Sequence, residues 1–257
     1  MRLLALVTLA LCACLAPLVS PAGTLASVEL YDRTDGTTLP VYRHRGRLYV
    51  AGEPRHQYEI RIRNASGQRV LAVTSVDGVN VVTGETAAEQ QSGYVLDPYG
   101  AVEVDGWRKS LHDVATFYFT SLGDSYAART GRPNDVGVIG VALFREKTPC
   151  CAHYFNRQRE AAKSEAPASA AAPELERRAV APRADADAQL GTGHGHREHS
   201  AAQYVDFERA SSTPDETIVI YYNSMRNLIA QGVVPKQRNY GKHHGPRPFP
   251  SGFVPDP

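Results

Sequence analysis

Two stretches of this chain carry residue types able to do chemistry. In FTSLGDSYAARTG, Phe119 to Gly131, Ser125 follows Gly123 and Asp124 behind a run of alternating aromatic and polar residues. A serine hydroxyl attacks only when a base removes its proton, so a nucleophilic Ser125 requires a histidine held by a carboxylate elsewhere. In GTGHGHREHS, His194, His196 and His199 stand at His-x-His-x-x-His spacing. Three imidazoles so spaced suit Zn, Cu or Ni, and a strand-like His-x-His sets two rings on one face. A glycine-rich loop does not preorganise three ligands, however, and only Glu198 is adjacent as a fourth. Solvated loop histidines are the plainer expectation, with a metal site at His194, His196 and His199 as the alternative. His243-His244 carry less weight.

The GDS tripeptide resembles the first block of the GDSL or SGNH hydrolases. That resemblance implies a serine on a strand-to-helix turn of an α/β domain, with an Asp-x-x-His pair far downstream. No Asp-x-x-His occurs in the chain, and Gly131-Arg132-Pro133-Asn134-Asp135 is one residue too long for the family's Gly-x-Asn-Asp block. A hydroxyl without a base has no route to activation. Ser125 is therefore expected in a polar loop between two core strands, with a serine esterase as the remote alternative.

A third group is basic: Arg43, His44, Arg45 and Arg47, followed by Arg55, His56, Arg61 and Arg63. Such residues form either the wet face of half-buried strands or a surface for an anionic partner. The 257 residues hold 28 Lys+Arg against 27 Asp+Glu, which gives no overall field for nucleic acid. Asn64-Ala65-Ser66 matches a glycosylation sequon.

Residues 1–22 show the order of a secretory signal peptide: one Arg, an apolar run, Pro17, then small residues. Cleavage fits after Ala22 or Ala26. Leu11-Cys12-Ala13-Cys14 loosely resembles a lipobox, so anchoring at Cys14 is the minor alternative to a periplasmic or secreted chain. Leader removal takes Cys12 and Cys14 with it and leaves Cys150 and Cys151, which permit no disulfide framework.

The elements that must position these residues read as strands. From 27 to 146 the apolar pattern has period two and is punctuated by turns, which predicts an antiparallel β-sandwich. Tyr58, Ile60 and Ile62 share a dry face; Glu59, Arg61 and Arg63 share a wet one. Asp77-Gly78, between valine-rich arms, predicts a two-residue hairpin turn. Asp97-Pro98-Tyr99-Gly100 predicts a second hairpin, with Tyr94 and Leu96 on one arm and Val102 and Val104 on the other. Trp107 is expected in the core or at its rim. VGVIGVALF, Val136 to Phe144, is apolar on both faces and belongs mid-sheet.

Residues 147–190, rich in Ala, Pro and charge, predict a disordered linker. A small ββα unit is expected over 191–235, docked on the sandwich and free to add strands to an open edge. Its strands are Tyr204 to Arg209 and Thr217 to Tyr222. Ser224 caps its helix, Met225, Leu228 and Ile229 face inward, and Gly232 ends it. Residues 236–257 predict a disordered tail.

VLAVTSVDGVNVVTGETA, GYVLDPYGAVEVDGWRKS, GDSYAARTGRP, VGVIGVALF, LGTGHGHREHS, FERAS and NLIAQGV together resemble a group of exported bacterial proteins with no assigned function. The resemblance implies one architecture and brings no catalytic residues. The functional expectation is a non-enzymatic cell-envelope module that needs no cofactor. It would bind an envelope protein or anionic envelope component through an edge strand or its basic face. Contact with a membrane is expected only if the chain is lipidated.

Overall fold

The computed structural model describes residues 25–148 and 189–235. The segment read as a signal peptide, the 149–188 stretch with Cys150 and Cys151, and the 236–257 tail with His243 and His244 lie outside the described residues. Strands follow in chain order: β1 (Ala26–Asp32), β2 (Thr37–Thr38), β3 (Val41–His44), β4 (Arg47–Gly52), β5 (Gln57–Asn64), β6 (Val70–Val76) and β7 (Val79–Asn80). Then come β8 (Tyr94–Leu96), β9 (Ala101–Val104), β10 (Gly106–Arg108), β11 (Asp113–Ser121), the short helix α1 (Tyr126–Arg129) and β12 (Val138–Arg145). After the 149–188 stretch follow β13 (Leu190–His199), β14 (Glu216–Ser224) and α2 (Met225–Ala230). Among the described residues no helix is long and apolar enough to cross a membrane.

These strands form two seven-stranded sheets, a mainly β sandwich as the period-two pattern predicts. Sheet A runs β10-β11-β5-β1-β2, with β13 along β11 and β9 along β5; sheet B runs β3-β4-β14-β12-β6-β7, with β8 along β6. All pairings are antiparallel except β4 with β14. On β5, Tyr58, Ile60 and Ile62 are buried in the core as their spacing requires. Tyr58 stacks on Phe119 at 4.3 Å and on Phe117 at 5.4 Å between ring centroids. Trp107 is buried against Phe117.

β12 lies between β14 and β6, mid-sheet as its apolar run demands. Ile139, Val141 and Leu143 enter the main core, while Ala142 and Phe144 join Leu71 and Val73 in a second cluster on the other face. Phe207 and Val95 cover that cluster. Here the predicted strand Tyr204 to Arg209 is corrected: the segment is a strap with one isolated bridge, Glu146 to Arg209. Its alternation is real, but Phe207 alone packs, half-buried, against the sheet's apolar cluster; Tyr204 and Val205 are exposed.

The strand taken from the sequence as a histidine loop is β13. The C-terminal ββα order therefore holds, but with β13 as its first strand, and the pair does not add to an edge together. β13 joins β11 in sheet A, whereas β14 is inserted between β4 and β12 in sheet B.

Asp77 and Gly78, at φ 53° and 72°, form the expected two-residue turn, with Val76 paired to Val79. Asp97 to Gly100 also turns, closed by Gly100 N–H to the Asp97 carbonyl at 2.9 Å. Its arms do not form a hairpin. β8 pairs with β6 in sheet B and β9 with β5 in sheet A, so the turn carries the chain between layers. Asn64 of the sequon is buried beneath this turn, where its amide donates to the Asp97 and Gln68 carbonyls. On α2, Ser224 Oγ accepts the Asn227 N–H at 3.3 Å and Gly232 takes φ 73°. Leu228 is buried, but Met225, expected inward, is exposed.

Candidate functional site

The basic residues divide between the two sheets. On sheet A and the β1–β2 turn, Arg33, Arg61 and His56 have anionic partners, whereas Arg63 on β5 and Arg55 before it have no ion pair among the described residues. Arg33 grips Glu198 with both terminal nitrogens, at 2.6 and 3.1 Å, and this fork raises the arginine and holds the glutamate below its usual range. Arg61 pairs with the buried Glu59 at 2.7 Å and lies 3.5 Å from the centre of the Tyr31 ring. His56 Nδ1 meets Asp32 Oδ2 at 2.8 Å, which lifts the imidazole above its usual range. Asp32 Oδ1 accepts the Thr34 and Asp35 N–H groups, so the carboxylate fastens the β1–β2 turn to β5. Asp32, Asp35 and His56 are the one trio of candidate metal-ligand atoms within 4.8 Å of one another among the described residues. No sequence spacing announces it, because the turn and β5 meet only through pairing.

Arg43, His44, Arg45 and Arg47 gather on sheet B. β3 and β4 form a hairpin whose turn is Arg45-Gly46, at φ 48° and 77°, with His44 opposite Arg47. β3 is the terminal strand of the sheet. Antiparallel alternation from the His44–Arg47 pair turns the backbone groups of Arg43 and Val41 away from β4, toward the free edge. Among the described residues Arg43, Arg45 and Arg47 have no carboxylate in ion-pair range. Arg47 lies over the Tyr221 ring at 5.2 Å, Tyr221 packs on Tyr49 at 5.6 Å, and Tyr49 meets His44 at 6.5 Å.

Tyr49 and Tyr221 also wall a cleft of about 210 Å³, completed by Gln189, Leu190, Asn223, Leu228 and Gln231 among others. Cleft and basic edge thus share a tyrosine wall.

Behind the cleft lies a buried polar node that sequence reasoning missed. The Tyr222 hydroxyl donates to Asp77 Oδ1 at 2.6 Å and is 2.7 Å from Thr192 Oγ1, which in turn is 2.6 Å from the Tyr58 hydroxyl. Because Tyr222 has one proton and gives it to the carboxylate, the chain runs in one direction, from Tyr58 through Thr192 and Tyr222 to Asp77. The Gly137 N–H adds to Oδ1 at 2.9 Å and the Thr192 N–H to Oδ2 at 2.8 Å. Burial pushes Asp77 up to about 6 against these donors, and it raises both tyrosines well above their usual value. The DG turn was legible in the sequence; that its carboxylate turns inward was not.

The histidines are ordered on β13 but do not converge. Phe117 faces His194 and Ala115 faces Arg197, so Gly195 and His196 share one partner, Thr116, in a β-bulge. The bulge reverses the alternation expected of His-x-His. His194 packs against Trp107 and Tyr126 at 6.2 and 5.3 Å, and burial lowers its pKa. His196 turns to the other face, with Nε2 3.7 Å from Glu198 and Nδ1 3.4 Å from the Gln57 amide. His199 stacks on His112 at 6.3 Å.

Ser125 is fully buried. Its hydroxyl donates to the Leu122 carbonyl at 2.7 Å and accepts the Ala128 N–H at 3.1 Å, as the N-cap of α1. The GDSY stretch is a helix start after β11. Comparison with family models, with curated proteins and with solved structures gives no match, so the chemistry is read from these residues alone.

Proposed function

We propose that this chain is an exported, non-enzymatic binding module of the cell envelope, which holds an anionic envelope component against the β3–β4 hairpin. The observation that carries this reading is the sorting of the basic residues. Arg33 and Arg61 are ion-paired and the unpaired Arg55 and Arg63 stand apart from each other at the two ends of β5, whereas Arg43, Arg45 and Arg47 gather without ion pairs on one hairpin at the free edge of sheet B. Cations held on one rigid hairpin attract a polyanion and fix its approach. Ser125 supports a role without covalent chemistry, because both functions of its hydroxyl are spent within a helix cap.

Surface plasmon resonance on captured lipopolysaccharide tests the reading. The wild-type chain should bind, weaken as NaCl rises from about 50 to about 300 mM, and lose about tenfold in affinity in R43E/R45E/R47E. Equal loss in R63E/R129E, placed elsewhere, would reduce the effect to net charge and overturn the assignment.

A further inference from the structure

We infer that the cleft beside the basic hairpin seats one residue of an acidic polysaccharide, with its sugar ring against Tyr49 and Tyr221 and its negative charge toward Arg47. The inference rests on the proposed anion-binding role of the hairpin and names the chemistry of the ligand.

Three observations carry it. The cleft holds about 210 Å³, below the roughly 300–1,000 Å³ of drug-sized sites, which suits a single ring-sized group. Its wall is a pair of tyrosines 5.6 Å apart, rigid amphipathic surfaces whose electron-rich faces attract the polarised C–H groups of a sugar. Arg47 covers one face of the Tyr221 ring from outside the cleft lining, so an anionic group projecting from a sugar against the tyrosine wall meets a guanidinium at its rim.

The rest of the lining separates a sugar from other anions. Gln189, Asn223 and Gln231 bring amides from three segments; the Asn223 oxygen accepts the Ser224 N–H and the Asn227 amide, while the side chains of Gln189 and Gln231 make no hydrogen bond among the described residues. Hydroxyl groups satisfy such amides in both donor and acceptor roles. An acyl chain would bury them without partners, at a cost of about 1–3 kcal/mol each. A lipid phosphate alone would use the arginines and leave the cleft empty.

An array of acidic and neutral bacterial oligosaccharides, probed with the full chain, tests the inference, with phosphatidylglycerol vesicles and a Glu-rich peptide as separate arms. Acidic oligosaccharides should bind, and their neutral counterparts and the vesicles should not. Y49A and Q231L should each lower affinity about tenfold, whereas Y221F, which keeps the ring, should retain it. Near-ultraviolet circular dichroism checks that each variant is folded.

Vesicle or peptide binding that is lost in R43E/R45E/R47E but unchanged in Y49A and Q231L would overturn the sugar seat and leave the basic hairpin standing. Binding of neutral sugars alone would overturn the acidic assignment. No binding in any arm would overturn the seat and the anion-binding role together.

Discussion

The Asp77 carboxylate accepts the backbone N–H of Thr192 at 2.8 Å across 115 residues of sequence. One end of this bond is the tip of a hairpin in sheet B; the other is the strand of sheet A that carries the histidines. Through Tyr222 and Gly137 the same carboxylate also reaches β14 and the start of β12. A single side chain therefore closes the end of the sandwich behind the cleft.

Asp77→Ala should destabilise the chain by about 3–5 kcal/mol, because it strands three buried donors and places alanine at positive φ. Asp77→Asn keeps a turn residue suited to that backbone and removes the charge. Folded Asp77 is raised from 3.8 to about 6, so the folded state binds more protons between those values. Its contribution is fully present below about pH 4 and is lost as pH rises through about 6. At about 1.4 kcal/mol per pKa unit the loss is on the order of 3 kcal/mol. Urea unfolding from pH 4 to 7 should show this fall in the wild type and a flatter profile in D77N; parallel profiles would contradict it.

Gly195→Ala should unfold the bulge. A Cβ there would lie 2.7 Å from the Thr116 carbonyl oxygen, a backbone atom held in β11. Overpacking of this kind costs about 1–3 kcal/mol, which a lowered thermal midpoint would register. An unchanged midpoint would show that the strand can shift.

The bulge also predicts the behaviour of the histidines toward metal. With His194 and His196 on opposite faces, the three rings do not ligate one ion. Replacing His194, His196 and His199 together by alanine should leave Zn(II) affinity within about twofold in a competition titration, where a single tetrahedral site would lose far more. A tenfold loss would contradict the geometry.

Ser125→Ala should cost about 1–2 kcal/mol through loss of the cap. A fluorophosphonate probe should leave the folded wild-type protein unlabelled, because the hydroxyl is buried and committed to the Leu122 carbonyl. Stoichiometric labelling at Ser125 would restore the nucleophile reading.

Signals that act locally were legible in the sequence. Asp77-Gly78 demands positive φ at both centres, and Ser224 with Gly232 brackets α2, so these elements stand where their residues put them. Partners were less legible. Asp97 to Gly100 turns as expected, but whether its arms meet each other or opposite sheets depends on β5 and β6, about 30 residues earlier.

The glycines of LGTGHGH read as a loop because glycine is rare in strands. In β13 they make room for neighbours: a Cβ at Gly193 would enter the Tyr118 ring, and one at Gly195 the backbone at Thr116. The site was legible in part. Arg43, His44, Arg45 and Arg47 were visible as a basic run, but their separation from Arg61 and Arg63 follows from the crossing of β3 and β4 into the other sheet.

Amide hydrogen exchange of the full chain, with and without saturating lipopolysaccharide, tests the β3–β4 hairpin as the binding edge most directly. The account predicts slowed exchange along Val41 to Arg47, strongest at the outward N–H of Arg43, with the histidine-bearing half of β13, residues 194–199, unchanged. Protection confined to residues 194–199 of β13 or to the outer face of sheet A, with Val41 to Arg47 unaffected, would contradict it.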